Sequence, residues 1–357
     1  MTTPAQWVRP AIRALSAYHV PPAAGLIKLD AMENPYGWPP ALVEAWLGRL
    51  RQASLNRYPD PQATALKAQL RQAMAVPDAA GLILGNGSDE LIQLILLAVA
   101  EPGRVVLAPD PTFVMYRLLA AATGMDYRGV ALRAADFALD GAALLAAVER
   151  QRPAVVFLAS PNNPTGNLFD PDVVRAVIDA APGLVVVDEA YCAFTDRSVL
   201  PDVGRWPNLL VMRTLSKMGL AGLRLGLLAG PPAWLDELEK VRLPYNINVL
   251  TQLSAEFALS HGAVLEDQAR RIRADRARLF AALQALPGIV PYPSEANFIL
   301  FRTPPGAAQR LFQTLAGGGV LVKNLSRGGG LLRDCLRVTV GAPDENRRFL
   351  EVLGAAL

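Results

Sequence analysis

A lysine closes the stretch Thr214-Leu-Ser-Lys217, which follows directly on the apolar run Leu209-Leu210-Val211-Met212 and precedes Met-Gly-Leu-Ala-Gly-Leu and Arg224. The apolar run reads as a buried strand, so the lysine falls just past a strand end. An amine with two hydroxyls before it and a guanidinium after it suits the binding of a phosphorylated aldehyde. The hydroxyls and guanidinium take the phosphate, and the amine takes the carbonyl carbon as a Schiff base. Alone the pattern is common, because most lysines are solvated surface charges.

Three other stretches supply what such a group would need. Asn163 stands in Asn-Pro-Thr-Gly, Asp188 opens Asp-Glu-Ala-Tyr, and Gly87-Ser88-Asp89 begins an apolar helix. A helix start offers free backbone N–H groups and the positive end of the helix dipole, which suit a phosphate. Pyridoxal phosphate requires these parts together: a carboxylate that keeps the pyridinium nitrogen protonated, donors for the ring oxygen, and a flat side chain over the ring. Singly, Asp188 reads as a strand-end cap, Asn163-Pro164-Thr165-Gly166 as a turn and Ser88 as an N-cap.

The elements that position them follow a repeated pattern. Strands are predicted at 82–85, 104–107, 155–158, 184–187, 209–212 and 223–228, each a near-continuous apolar run. Helices open at 86–90, at Pro111-Thr112-Phe113 and at Asp170-Pro171. An earlier helix is expected to take Asp60 as N-cap and Pro61 as its first residue, with Leu66, Leu70 and Met74 on one face. Apolar strands alternating with amphipathic helices imply an α/β fold, a mostly parallel sheet covered on both faces, with ligands at the carboxyl ends of the strands. After Pro231 come a helix marked by Trp234, Leu238 and Val241, then a long helical region broken at His261-Gly262, with apolar residues at Leu265, Ile272, Leu279 and Leu286. Strands at 298–301, 320–322 and 336–340 alternate with helices near 307–315 and 344–353, which reads as a smaller α/β domain. The expected division is an N-terminal arm over 1–30, a large domain over 31–240 and a small C-terminal domain over 241–357. Ser326-Arg-Gly-Gly-Gly330 reads as a flexible loop.

Composition narrows the classes. The chain's 357 residues exceed a single core's usual limit, and 52% hydrophobic with 19% charged residues describes a globular protein. A net charge of +3, with arginines scattered among acids, argues against nucleic acid as a partner. Two cysteines, Cys192 and Cys335, and two histidines, His19 and His261, leave no disulfide framework and no metal site. No apolar run is long enough for a signal peptide or membrane span, so a soluble cytoplasmic protein is expected.

The motifs Glu33-Asn-Pro-Tyr36, Asn56-Arg-Tyr-Pro59, Gly87-Ser-Asp-Glu90, Ser160-Pro-Asn-Asn-Pro-Thr-Gly166, Asp188-Glu-Ala-Tyr191, Arg213-Thr-Leu-Ser-Lys217, Ala221-Gly-Leu-Arg224 and Cys335-Leu-Arg-Val-Thr-Val-Gly341 stand in one order along nearly the whole chain. In that order and spacing the sequence resembles the fold type I, class II pyridoxal-phosphate aminotransferases, and among them the histidinol-phosphate aminotransferase family. The resemblance implies a seven-stranded-type sheet in the large domain and pyridoxal 5'-phosphate as cofactor. It implies a ping-pong exchange of an amino group between L-histidinol phosphate and 2-oxoglutarate, a step of histidine biosynthesis.

It also implies roles. Lys217 would carry the cofactor as a Schiff base and move the proton. Asp188 would pair with the ring nitrogen, Asn163 and Tyr191 would bind the ring oxygen, and Phe113 would stack on the ring where many relatives have tyrosine. Ser88, Asp89 through its backbone N–H, Thr214, Ser216 and Arg224 would hold the phosphate. Tyr58 would reach it from the neighbouring subunit of a homodimer. Arg337 would bind the anionic end of the small-molecule substrate, with Tyr18 and Asn34 nearby. Lys323 stands where relatives often carry a second arginine; it keeps the charge but not the fork.

Rival readings have weaker support. Threonine-phosphate decarboxylases and aromatic aminotransferases share the same motifs. A cofactor-binding regulatory domain without catalysis would carry a DNA-binding domain ahead of it, and about thirty residues before Asn34 are too few for one. A serine hydrolase would need Gly-x-Ser-x-Gly, and a dinucleotide fold would need a third glycine where Glu90 stands.

Overall fold

The computed structural model describes residues 2–17 and 20–357. Tyr18 and His19 lie outside the described residues. Thirteen strands occur among the described residues: β1 (Ile27–Lys28), β2 (Gly81–Gly85), β3 (Val105–Asp110), β4 (Asp126–Ala131), β5 (Val155–Ala159), β6 (Leu184–Asp188), β7 (Leu209–Thr214), β8 (Gly226–Gly230), β9 (Val290–Pro291), β10 (Phe298–Arg302), β11 (Val320–Leu321), β12 (Lys323–Asn324) and β13 (Cys335–Thr339).

The large sheet has seven strands in the order β2-β8-β7-β6-β5-β3-β4. Its central strands β5, β6 and β7 are buried along their whole length, the signature of a sheet covered on both faces. Only β8 runs against its neighbours. That exception matters for the site. Gly226 pairs with both Gly85 and Thr214, so an antiparallel strand enters at the edge where the parallel strands end. The loop before β8, carrying Arg224, therefore meets the loops after β2 and β7.

The second sheet, β12-β13-β10-β9, is antiparallel and sets Lys323 directly opposite Arg337. The arm is tied to this part of the chain, with β1 pairing in parallel with β11. Helix Val249–Ser260 contributes Ala255 and Ala258 to the core beneath the large sheet. Helix Gly262–Gln284 contributes Ile272, Leu279 and Leu283 to the core around the second sheet. The helical region breaks between the two at His261, as the Gly262 that follows suggests.

Several expectations need correction. The helix placed at Pro61 begins at Thr64, because Asp60 accepts from the N–H groups of Gln62 and Thr64 in a turn of its own and Ala63 takes a left-handed φ of 46°. The strand placed at 223–228 begins at Gly226, because Ala221–Leu223 forms a 3-10 turn and Arg224 is left-handed at φ 49°. Val241 and Leu286 fall beyond the ends of helices Pro232–Glu239 and Gly262–Gln284. The strand expected over 320–322 ends at Leu321, and after Val322 a separate strand of the second sheet, β12, begins at Lys323. The loop at 326–330 holds one 3-10 turn, Ser326–Gly328, and a second, Gly330–Leu332, begins at its end. Strand β4, with Tyr127 and Val130 half-buried between exposed residues, and helices Pro40–Leu50 and Gly141–Gln151 were not foreseen. No helix among the described residues is long and apolar enough to cross a membrane.

Candidate active site

A cleft of about 550 Å³ opens at the carboxyl edge of the large sheet. Ser88, Asp89, Phe113, Asn163, Asp188, Tyr191, Thr214, Ser216, Lys217 and Arg224 all line it, joined by Met32, Ala159, Pro161 and Ala190. Ten residues singled out in the sequence therefore converge on one space.

One end of the cleft suits a phosphate. Helix Ser88–Val99 begins there behind Gly87, whose φ of 85° belongs to the region glycine adopts most readily. Thr214 Oγ1 and Ser216 Oγ lie 3.0 Å apart, and Arg224 Nη1 donates to Ser216 Oγ at 3.5 Å. Arg224 Nη2 also lies 3.5 Å from Asp89 Oδ2. Packing is tight: a Cβ on Gly226 would come within 2.8 Å of the Gly87 carbon and Ser88 nitrogen, and one on Gly87 within 2.7 Å of Arg224 Nη2. These contacts require the small residues and hold donors and cation close together.

The floor carries the carboxylate. Asp188 ends β6 and is buried, with its Oδ2 accepting from Tyr116 Oη at 2.6 Å and its Oδ1 from Ala190 N at 3.0 Å. Burial raises its pKa to about 6, opposed by these two hydrogen bonds. Asn163 Nδ2 donates to the Tyr191 hydroxyl at 3.1 Å, and Phe113 lies on the wall, edge-on to Tyr116.

Lys217 follows β7 within the 3-10 turn Ser216–Met218. Its Nζ lies 3.5 Å from the Ala31 carbonyl and 5.9 Å from the centre of the Tyr191 ring. Removal from water lowers its pKa to about 8, helped by Arg337 and Arg224 and opposed by Glu33 and Asp89. An amine so placed is still mostly protonated near neutral pH, but it releases its proton far more readily than an ordinary lysine, and the neutral form is the one that attacks a carbonyl.

Arg337 is buried on β13. Its Nη1 donates to Asn163 Oδ1 at 2.5 Å and its Nη2 to the Asp30 carbonyl at 2.9 Å. Beside it, Lys323 is held below its ordinary pKa by burial and by Arg337. Asn34 does not line the cleft: its amide donates to Gln268 Oε1 and its carbonyl oxygen caps Tyr36 N. Tyr58 does not line the cleft of its own chain; it is 80% exposed and stacks on Tyr245 at 4.4 Å.

Sequence reasoning gave no role to a pair that braces this edge. Glu189 and Arg213, each adjacent to a site residue, form a buried ion pair at 2.8 Å that also engages Ser198. Nor did it connect Tyr116 with Asp188. Both partners lie inside or beside quoted motifs, but nothing in spacing shows that side chains so far apart in sequence meet.

Comparison with known proteins agrees with this geometry. The family model for aminotransferase class I and II matches residues 24–353. The chain belongs to that family. It is 64% identical over 351 residues to a histidinol-phosphate aminotransferase 2 of Nitrosococcus oceani, covering 98% of this chain and 97% of that one. It is 55% identical over 348 residues to a histidinol-phosphate aminotransferase of Chromobacterium violaceum, with 98% and 97% covered. The solved histidinol-phosphate aminotransferase of Sinorhizobium meliloti, in complex with pyridoxal-5'-phosphate, superposes with a TM-score of 0.87 at 25% identity over 98% of this chain and 97% of that one. The seven-stranded, mostly parallel sheet is that of the fold type I aminotransferases.

Proposed function

We propose that the protein is a pyridoxal-phosphate-dependent histidinol-phosphate aminotransferase, exchanging the amino group between L-histidinol phosphate and 2-oxoglutarate. The observation that carries this reading is the convergence, on one cleft, of the Lys217 amine, the buried Asp188 carboxylate and the phosphate cradle of Ser88, Thr214, Ser216 and Arg224. Sequence identity of 64% to a relative of that name supports the substrate. The residues fit the cofactor. The cradle offers helix N–H groups, hydroxyls and a guanidinium in a space that a Cβ on Gly87 or Gly226 would invade.

When bound, pyridoxal phosphate supplies an electron-withdrawing ring that stabilises charge on the substrate carbon. Asp188 would keep the ring nitrogen protonated, Asn163 and Tyr191 would hold the ring oxygen, and Phe113 would cover the ring. Lys217 Nζ would hold the cofactor's carbonyl carbon and would be the group that accepts the proton from the amine-bearing carbon of the substrate. With a pKa of about 8 it is both a competent acceptor and a competent donor near neutral pH. Arg337 and Lys323, opposite each other across β13 and β12, orient the anionic end of the substrate. Asn34, whose amide donates to Gln268, sits against Gly219, two residues after Lys217.

The functional unit is a homodimer in which Tyr58 reaches the partner's phosphate cradle. What supports this is an aromatic side chain, 80% exposed, stacked on Tyr245, with Leu55 and Leu243 also exposed. We assign the same chain division as expected from sequence, an arm, a large cofactor-binding part and a small C-terminal part, in a soluble cytoplasmic enzyme.

The visible absorption spectrum of the purified enzyme tests the whole reading. L-Histidinol phosphate without keto acid is expected to convert the cofactor band, and 2-oxoglutarate to restore it. A band unchanged by that amine refutes the substrate, and no band after adding pyridoxal phosphate refutes the cofactor.

A further inference from the structure

Tyr116 lies in none of the motifs from which the site was read, yet it touches the residue on the cleft floor. It sits on the first turn of helix Val114–Thr123 and is completely buried. Its ring stacks flat on Phe157 at 4.5 Å and 6°, and meets Phe113 edge-on at 5.6 Å. Phenylalanine would fill such a place equally well. The hydroxyl is the difference, and it donates to Asp188 Oδ2 at 2.6 Å. A phenol buried in an aromatic stack needs a partner for its hydroxyl, and here that partner is the carboxylate.

The second carboxylate oxygen accepts from Ala190 N, so each oxygen has one donor from the protein and keeps acceptor capacity for a ligand. Two donors from different elements, a helix and the chain just past β6, fix the rotation of the carboxyl group about its bond to Cβ. We propose that Tyr116 is a positioning residue for the cofactor ring: its hydroxyl orients the Asp188 carboxylate and keeps it an anion able to hold the protonated ring nitrogen. This rests on the functional reading above.

The charges around the pair agree. Burial, with Asp89 and Glu189 nearby, works against the Asp188 anion, while the Tyr116 hydroxyl and the Ala190 N–H work for it. Asp89 is itself engaged by Arg224, and Glu189 by Arg213. The Tyr116 phenol is driven well above its ordinary pKa by burial and by Asp188, with smaller contributions from Tyr127 and Tyr191. It therefore keeps its proton and remains a donor throughout the range in which Asp188 titrates. A hydrogen bond to a charged acceptor is the strong kind, and losing it leaves the carboxylate under-solvated.

Tyr116→Phe tests this, since it removes the hydroxyl and leaves the ring contacts. Cofactor-free enzyme is titrated with pyridoxal 5'-phosphate from about pH 5 to about pH 9, with binding read by tryptophan fluorescence. The variant is expected to bind roughly ten-fold more weakly near neutrality, and its low-pH loss of affinity is expected to begin at higher pH than in wild type. In an Asp188→Asn background, the same change is expected to alter affinity by less than about two-fold, because the carboxylate charge that the hydroxyl stabilises is gone. Phe157→Leu, which loosens the stack but keeps the hydroxyl, is expected to retain the wild-type pH midpoint.

Wild-type affinity and pH dependence in Tyr116→Phe would overturn the assignment. So would an equal loss in both backgrounds, or a midpoint shift in Phe157→Leu as large as in Tyr116→Phe; either would mark the tyrosine as packing alone. Wild-type enzyme that binds no pyridoxal 5'-phosphate would instead refute the functional reading itself.

Discussion

The ion pair between Glu189 and Arg213 should be among the most sensitive points of the large sheet. Glu189 is 1% exposed and Arg213 8%. The Glu189 carboxylate accepts from Arg213 Nε at 2.9 Å, from Arg213 Nη2 at 2.8 Å, from Val199 N at 2.6 Å and from Ser198 Oγ. Glu189→Leu conserves bulk but leaves the guanidinium buried with only Ser198 Oγ and the Met74 carbonyl and sulfur as partners. Breaking a buried pair from one side costs about 3–5 kcal/mol, because the remaining charge is uncompensated. Unfolding entropy of about 2.1 cal/mol/K per residue, applied to 357 residues, gives roughly 0.75 kcal/mol/K. The melting temperature of the cofactor-free enzyme should therefore fall by about 4–7 °C in differential scanning calorimetry. Adding Arg213→Met to Glu189→Leu removes the stranded charge and should recover most of that loss. A Glu189→Leu variant melting within about 1 °C of wild type, or a double variant no better than the single, would refute the reasoning. Because Asp188 and Thr214 are the chain neighbours of this pair, the single variant should also bind cofactor more weakly.

Two further outcomes are expected. The folded Asp188 carboxyl holds its proton up to about pH 6, whereas in the unfolded chain it ionises near about 3.9. Between those values the native state binds more protons, so stability falls as pH rises through the window. Above it the ionised, buried carboxyl costs the cofactor-free enzyme about 3 kcal/mol. Asp188→Asn should remove that slope and melt about 4 °C higher near neutral pH without cofactor; parallel pH–melting curves for the two proteins would contradict it. For the shared site, Lys217→Ala and Tyr58→Ala, the latter assayed at a cofactor concentration where it is inactive, should regain about a quarter of wild-type activity when unfolded together and refolded as a mixture. No recovery, with heterodimers present, would exclude a Tyr58 contribution in trans.

Much of the site was legible because its residues stand at strand ends, where a one-dimensional pattern carries three-dimensional meaning. A buried parallel strand is an apolar run, its carboxyl end is where polarity resumes, and in such a sheet those ends share one edge. Asn163, Asp188 and Lys217 could be read this way. Arg224 could be placed by motif but not by position, since it precedes a strand. It joins the same edge only because β8 is antiparallel and Gly226 pairs with both Gly85 and Thr214. The late start of the helix at Thr64 escaped notice for a local reason: Asp60 satisfies Gln62 N and Thr64 N from outside the helix, and the left-handed Ala63 has no distinctive sequence signal.

The sequence by itself determined the chemical inventory: an amine, a carboxylate, a phosphate-binding helix start and a guanidinium, in an order that implied one sheet edge. Only the tertiary structure decided how each group is tuned. The lowered pKa of Lys217, the raised pKa of Asp188, the hydroxyl of Tyr116 on that carboxylate and the Arg337 contact with Asn163 all join residues distant along the chain. Burial and electrostatic neighbours are set by distance in space, and spacing along a chain records that distance only within a single helix or strand.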